Sequence, residues 1–329
     1  MIEYIDNVRR ILEHVVKIKP GQNLLVITDT YARPMAIARA VTEVANSIGV
    51  QAVLTMMEPL THVGQEPPRC VSAAMKAADV IMEFGDGSAS GHSTARKEAT
   101  KAGVKYYLLN TDASEDYLRN PIALEDLNKI KTQTESLAEI MTRANVATVT
   151  TPYGTDITMS LEGRQAIPIH PLTNAGPVGS LQDYAEAAIS PVEGTTEGLV
   201  VADASIRGWG YILREPIRFE VRGGRVQAKT VSSDNTEQME RFKKIILHDQ
   251  NACNCAAELG LGTSHTAPRI LRGDVMRDYA RAGNTHIAVG RNDDIGGETW
   301  SQIHTDVLMT RATVKLDGVC VIENGELII

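Results

Sequence analysis

The sequence is poor in aromatic residues: they make up 4% of 329 residues, with only three Phe and two Trp. Stacking platforms for bases or sugars are therefore not expected. Dense Lys/Arg runs are also lacking, and the formal net charge is −8, which argues against a nucleic-acid binder. No apolar run approaches the length of a membrane span, so no membrane partner is expected. Only four cysteines occur, at 70, 253, 255 and 320. Cys253-x-Cys255 lacks the Cys-x-x-Cys spacing of zinc and redox motifs. No signal-peptide pattern opens the sequence, so free thiols in a reducing cytoplasm are the expected state.

What is present is length enough for two cores, and two contrasting patterns. In the first 145 residues, short apolar runs alternate with helical periodicity. Residues 3–17 carry Ile5, Val8, Ile11, Leu12, Val15 and Val16 at helical spacing, and Asn23 to Thr28 reads as a buried strand. Strands follow at Val50–Met56, Asp79–Phe84 and Lys105–Leu109, with helices between them. The repeated strand–helix alternation predicts a parallel α/β sheet with helices on both faces. Ligands of such sheets gather at the carboxyl ends of the strands. One such end is the loop Gly85–Ser93, glycine- and serine-rich without the G-x-G-x-x-G order. It carries His92, a candidate catalytic base or an incidental histidine in a helix-capping loop.

A polar helical bridge over Asn120–Ala144 leads to a boundary near residue 145, and β character dominates from 146 to 329. The expected fold class is α/β, with an N-terminal parallel-sheet domain (1–145) followed by a β-rich α+β metal-binding domain (146–329). His170 to Glu193 reads as a long loop containing Asp183, Glu186 and Glu193, and Arg222-Gly-Gly-Arg225 signals a hairpin.

The C-terminal part holds the chemistry. Trp300 to Met309 reads as a strand, in which His304 and Asp306, two apart, share a face. Such a pair also serves as a plain hydrogen-bonded couple. His286 lies eighteen residues upstream in another apolar run, beyond the glycine-rich loop RNDDIGGET. A hairpin joining the two runs would bring two imidazoles and a carboxylate onto one ion, suiting Zn²⁺, Mn²⁺ or Fe²⁺. Glu258 sits in an apolar, glycine-rich run, where a carboxylate needs a cation or an arginine such as Arg269 or Arg272. His265 follows on a polar loop as a candidate ligand, substrate-facing base or exposed residue.

AELGLGTS, NTHIAVG and IHTDVLM, in this order and with SGHSTARKEATKAGVK and PVEGTTEGLVVADASI before them, resemble the thermophilic-type metallo-aminopeptidases (leucyl aminopeptidase T-like) over nearly the whole chain. The resemblance implies an α/β domain before a metal-binding domain, homo-oligomers, and a two-metal site. Four of the family's six ligand positions match Glu258, His286, His304 and Asp306. Two do not: Tyr279 stands where a glutamate is expected, and Asp293 where a tyrosine is expected. Asp278 and Asp293 are the candidate replacements. The related 2,5-dihydroxypyridine dioxygenases resemble the chain too. That resemblance implies a single Fe²⁺ on two histidines and an aspartate, with a loop histidine, matching His92, as base. Their His-x-Asp matches His304 and Asp306, but their other histidine falls at Glu258. Two readings follow: an Fe²⁺-dependent ring-cleaving dioxygenase taking O₂ and a small hydroxylated N-heterocycle, held by Arg207, Arg214 or Arg269, or an aminopeptidase or amidohydrolase using Zn²⁺, Co²⁺ or Mn²⁺ on short peptides.

Overall fold

The computed structural model describes residues 5–30, 32–62, 64–85, 90–110, 122–172, 179–180, 184–273 and 275–329. The chain divides into two compact units: Met1–Lys131 with Ile169–Tyr184, and Thr132–Pro168 with Ala185–Ile329.

In the first unit the alternating pattern yields a parallel sheet. Its strand order is Gln51–Met57, Asn23–Asp29, Val80–Gly85, Lys105–Asn110, with the short Gly179–Ser180 at the far edge. The Asn23–Asp29 strand is buried after its first residue, as expected of a strand covered on both faces. Leu24, Val26, Val80 and Met82 pack there with Val8, Leu12 and Val15 of the N-terminal helical segment. That segment is an α-helix only over Ile5–Arg10 and continues as a π-helix over Ile11–Val16, ended by Lys17 at φ 55°. Of the Gly85–Ser93 loop, residues 86–89 lie outside the described residues; Ser90–His92 forms a single 3₁₀ turn with His92 buried. Glu83 holds this turn. It accepts from the Ser90 amide at 2.9 Å, from the Ser90 hydroxyl, and from the Tyr106 hydroxyl at 2.6 Å. Burial raises the Glu83 pKa against these donors.

The second unit carries two sheets. One is antiparallel, in the order Arg225–Val226, Ile217–Arg222, Glu197–Ala202, Asp156–Ser160, Val146–Thr150, Thr313–Leu316, Val319–Glu323 and Glu326–Leu327. It includes the hairpin at Gly223-Gly224 that the sequence signalled. The other runs His304–Met309, Thr285–Gly290, Glu258–Gly262, Glu186–Ile189 and Ile167–Ile169. Two readings of the sequence need correction. Residues 300–303 are not strand: the Ser301 hydroxyl and the Gln302 amide turn aside to Asp249. The stretch taken as a loop contains the strand Glu186–Ile189, paired to Glu258–Gly262 in the middle of the sheet.

That sheet has two unlike faces. Across the register, Ala188, Gly260, His286 and Leu308 stand in one row; Glu258, Ala288 and Asp306 stand in another; Gly290 faces His304, and Gly262 faces Glu186. Residues opposite one another, or two apart, share a face. The alternate residues Ile189, Leu259, Leu261, Ile287, Val289 and Val307 point the other way into the apolar core of the unit. Burying each of them stabilises the fold by roughly 1.5–3 kcal/mol relative to exposure.

Candidate metal centre

One face of this sheet therefore presents Glu186, Glu258, His286, His304 and Asp306 over a floor of alanine and glycine. All five are buried. Gly260 shows why the floor must be small: a Cβ there would lie 2.1 Å from Cε1 and 2.2 Å from Nε2 of His286. The imidazole crosses the bare strand and reaches carboxylates on both sides of it. Its Nε2 lies 3.4 Å from Glu186 Oε2 and 3.5 Å from Glu258 Oε1. The other oxygen of Glu258, Oε2, lies 3.2 Å from His304 Nε2, which is 3.0 Å from Asp306 Oδ1. Two triads result, Glu186/Glu258/His286 and Glu258/His304/Asp306, each with its donor atoms within 4.8 Å of one another.

The His304 half is braced. His304 Nδ1 lies 2.7 Å from the Arg291 carbonyl, a contact in which Nδ1 donates and Nε2 faces Glu258 and Asp306. Asp306 Oδ2 accepts from Arg207 Nη1 at 3.1 Å. Its backbone carbonyl accepts from the Arg207 amide and the Tyr279 hydroxyl, both at 3.0 Å. Asp306 Oδ1, 3.0 Å from His304 Nε2, makes no hydrogen bond of sound geometry among the described residues. The Arg291 loop is itself anchored: Asn292 donates to the Ala256 carbonyl and to Glu193, each at 2.8 Å, and Glu193 pairs with Arg164. The His286 half is simpler. The Tyr279 ring stacks on the imidazole at 4.4 Å, and His286 Nδ1 has no hydrogen-bond partner among the described residues.

Electrostatics favour a cation here. Glu186, Glu258 and Asp306 place three carboxylates in the buried cluster, and Arg207 pairs with Asp306. Burial opposes charge on His286, but Glu186, Glu258 and Asp306 raise its pKa to about 9. Burial likewise opposes charge on His304, and Asp306 with Glu258 raises it to about 10. Burial would raise Glu258 too, yet the two histidines hold it at about 2. Asp306 lies well below the ordinary carboxylate range: burial opposes the shift, and Arg207 and His304 drive it. The oxygen and nitrogen donors fit a divalent ion such as Fe²⁺, Mn²⁺, Zn²⁺ or Co²⁺.

All four ligands expected from the sequence, Glu258, His286, His304 and Asp306, thus come together. The two proposed replacements do not join them. Asp278 accepts from the Arg272 and Gly273 amides at 2.9 and 2.8 Å, and Asp293 pairs with Arg291. His265 is exposed on the turn after the Glu258–Gly262 strand, outside the cluster. Glu186 is the residue that sequence reasoning missed. Its run, Glu-Ala-Ala-Ile, alternates too weakly to announce a strand, and only the pairing to Glu258–Gly262 reveals its face.

A two-faced β-sheet with buried histidines and carboxylates on one face, in a chain that also folds a parallel α/β sheet, defines a mixed α/β protein with a candidate divalent-metal centre. The family model for NicX, 2,5-dihydroxypyridine 5,6-dioxygenase, matches residues 3–329, and the chain belongs to this family. The fold matches the structure of 2,5-dihydroxypyridine dioxygenase from Pseudomonas putida KT2440 with a TM-score of 0.77 at 18% identity, covering 98% of this chain and 97% of that one. Wild-type AmpT from Thermus thermophilus matches with a TM-score of 0.68 at 15% identity, covering 100% and 99%. No curated protein sequence matches the chain. The protein is thus an enzyme of a dioxygenase family, and no helix among its described residues is long and apolar enough to cross a membrane.

Proposed function

We propose that the protein is a ring-cleaving dioxygenase that uses Fe²⁺ to open a small hydroxylated N-heterocycle of the 2,5-dihydroxypyridine type. The observation that carries this reading is the braced triad Glu258/His304/Asp306 in a chain matched end to end by that family. These three residues would hold the ion, with His286 beside them. A ferrous ion supplies adjacent open positions and the electron-transfer chemistry through which O₂ reacts with an electron-rich ring. Arg207 keeps Asp306 Oδ2 engaged and so leaves Oδ1 as the donor toward the centre. The Arg291 carbonyl fixes the tautomer of His304 that offers Nε2. Two further residues belong to the reading as proposals. His92 takes the substrate hydroxyl proton, a task suited to imidazole near neutral pH. His265 faces substrate. A cytoplasmic homo-oligomer completes it, in keeping with four free cysteines.

The test is O₂ uptake by anaerobically purified, iron-loaded protein on addition of 2,5-dihydroxypyridine. Uptake matched to loss of the ring absorbance supports the reading; silence toward hydroxylated pyridines overturns it. Loss of turnover in His92→Gln or His265→Ala at unchanged iron content supports their roles. One observation favours a second reading, a hydrolase using Zn²⁺, Co²⁺ or Mn²⁺ on short peptides: the Glu258 carboxylate is shared between two triads. Release of p-nitroaniline from leucyl-p-nitroanilide with those ions would support it instead.

A further inference from the structure

We infer that Asn292 is a positioning residue for the candidate metal centre: clasped by Glu193 and Arg164, it fixes the Arg291 carbonyl on which His304 is oriented. The inference rests on the reading that His304 ligates a metal ion, and not on the substrate or on oxygen chemistry.

The loop around Asn292 is longer than the sheet requires. The strands Thr285–Gly290 and His304–Met309 are antiparallel neighbours, and Gly290 pairs with His304 at their ends. A two-residue turn can close such a pair. Residues 291–303 close it instead, without helix or strand of their own. Loops of that length are uncommon in compact units and usually serve a function.

Asn292 holds this loop from within, and is itself fully buried. Its amide donates to the Thr299 carbonyl at 2.9 Å, and its carbonyl accepts from the Ile295 and Gly297 amides at 3.0 and 2.9 Å. Its side chain repeats the pattern with other partners. Oδ1 accepts from the Thr299 amide, and Nδ2 donates to Glu193 Oε1 and to the Ala256 carbonyl, each at 2.8 Å. Both N–H groups of the carboxamide thus meet acceptors and its oxygen meets a donor. Aspartate has the same shape and lacks the donors. Gly297 leaves the space for this side chain: a Cβ there would lie 2.1 Å from Asn292 Cγ.

Glu193 and Arg164 fasten the loop from outside. Glu193 Oε1 also accepts from the Glu298 amide at 2.8 Å, and its other oxygen pairs with Arg164. Arg164 Nη1 in turn donates to the Gly296 carbonyl at 2.7 Å. The clasp therefore grips the loop at 292, 296 and 298, while Asp249 grips it at 301 and 302. What the grip fixes lies one residue before Asn292. The Arg291 amide donates to the Ile303 carbonyl at 2.6 Å, and the Arg291 carbonyl accepts from His304 Nδ1 at 2.7 Å. A carbonyl at Nδ1 holds the ring so that the Nε2 lone pair is kept for an ion, and makes it a stronger donor. A displaced carbonyl lets the ring rotate or change tautomer. Asn292 thereby acts on the centre through Arg291 and His304.

The test uses chelator-stripped, full-length protein titrated with Co²⁺, whose visible spectrum reports ligand geometry. Nitrogen NMR of histidine-labelled, Zn²⁺-loaded protein accompanies it. The wild type is expected to bind Co²⁺ and to show a slowly exchanging Nδ1–H on His304. Asn292→Asp should weaken Co²⁺ binding about 10–100-fold, shift the visible bands and speed exchange of that proton. Glu193→Ala should act in the same direction. Glu193→Gln keeps an acceptor for Asn292 and should return affinity toward the wild-type value. A residue that only stabilises the loop would lower the melting temperature and leave affinity, bands and exchange alone; that result overturns the inference. Wild-type protein without a protected Nδ1–H on His304 overturns it too, and this measurement stands even if Asn292→Asp does not fold. Oxygen uptake is read separately. Silence toward hydroxylated pyridines, with weakened Co²⁺ binding in Asn292→Asp, removes the proposed reaction and keeps this inference. Oxygen uptake with unchanged Co²⁺ binding in that variant does the reverse.

Discussion

The two halves of the centre share Glu258 and Tyr279 but are held differently. His304 is fixed by a backbone carbonyl and its partner Asp306 by Arg207 and the Tyr279 hydroxyl, whereas His286 is placed by a bare strand beneath it and an aromatic ring beside it. Hydrogen bonds orient lone pairs; packing only confines a ring. The comparison teaches that a residue oriented by hydrogen bonds and one placed by packing alone can stand on neighbouring strands of one sheet. It also assigns each half a different vulnerability.

Removing a donor from the braced half gives the largest effect. Asp306→Ala should lower affinity for the ion by well over ~100-fold and abolish turnover, because one donor of the Glu258/His304/Asp306 triad is lost and Arg207 is left without its carboxylate partner. Equilibrium dialysis with metal analysis measures this, and near-normal iron content in the variant would dissolve the distinction between halves. Gly260→Ala comes next. A Cβ 2.1 Å from the imidazole forces the ring away, so His286 should leave its place while the His304 half keeps its ion. The cost in stability should be about 1–3 kcal/mol by urea denaturation, the range for overpacking a tight interior. Loss of that ion here would mean that the halves are one unit.

Arg207→Gln should be milder, about 10–100-fold in affinity at the braced half, with the Glu186 half unaffected directly. The smallest effect is of pH on the bare protein. His286 and His304 have folded pKa values raised to about 9 and 10, against 6.5 unfolded. Their stabilisation is complete below about pH 6.5 and is lost as pH rises toward 9–10. Glu258 and Asp306 are lowered, so their contribution is present above the unfolded carboxylate range near pH 4 and is lost as pH falls toward 2 and below. The melting temperature of chelator-stripped protein should therefore peak between about pH 5 and 6.5 and fall on the alkaline side. Saturating Mn²⁺ should raise the curve and flatten the alkaline slope, because bound imidazoles are already deprotonated. Differential scanning calorimetry across pH, with and without metal, checks both.

How much of this was legible beforehand follows from what periodicity can encode. The strand–helix alternation of the first unit is a local signal, and its parallel strands formed where apolar runs stood. His304 and Asp306 were legible because a spacing of two fixes a shared face, and His286 because its run ends in a glycine before a loop that must turn. Glu258 was legible as a charge in an apolar run. Glu186 was not, since its partners lie 72 and 100 positions away in sequence and its own strand is four residues long. Arg207 was legible only as a cation available to substrate; that it holds Asp306 depends on a backbone contact no pattern records. The roles of Asp278 and Asp293 stayed open for the same reason: a carboxylate that caps a loop or pairs with arginine has the same letter as a ligand.

Glu258 has one more consequence. With it, each triad offers two carboxylates and one imidazole, where the resemblance to mononuclear dioxygenases implied two imidazoles and one carboxylate. Oxygen donors are harder than nitrogen donors and discriminate less steeply among first-row ions, being well suited to manganese as well as iron. Such a donor set would accept manganese beside iron.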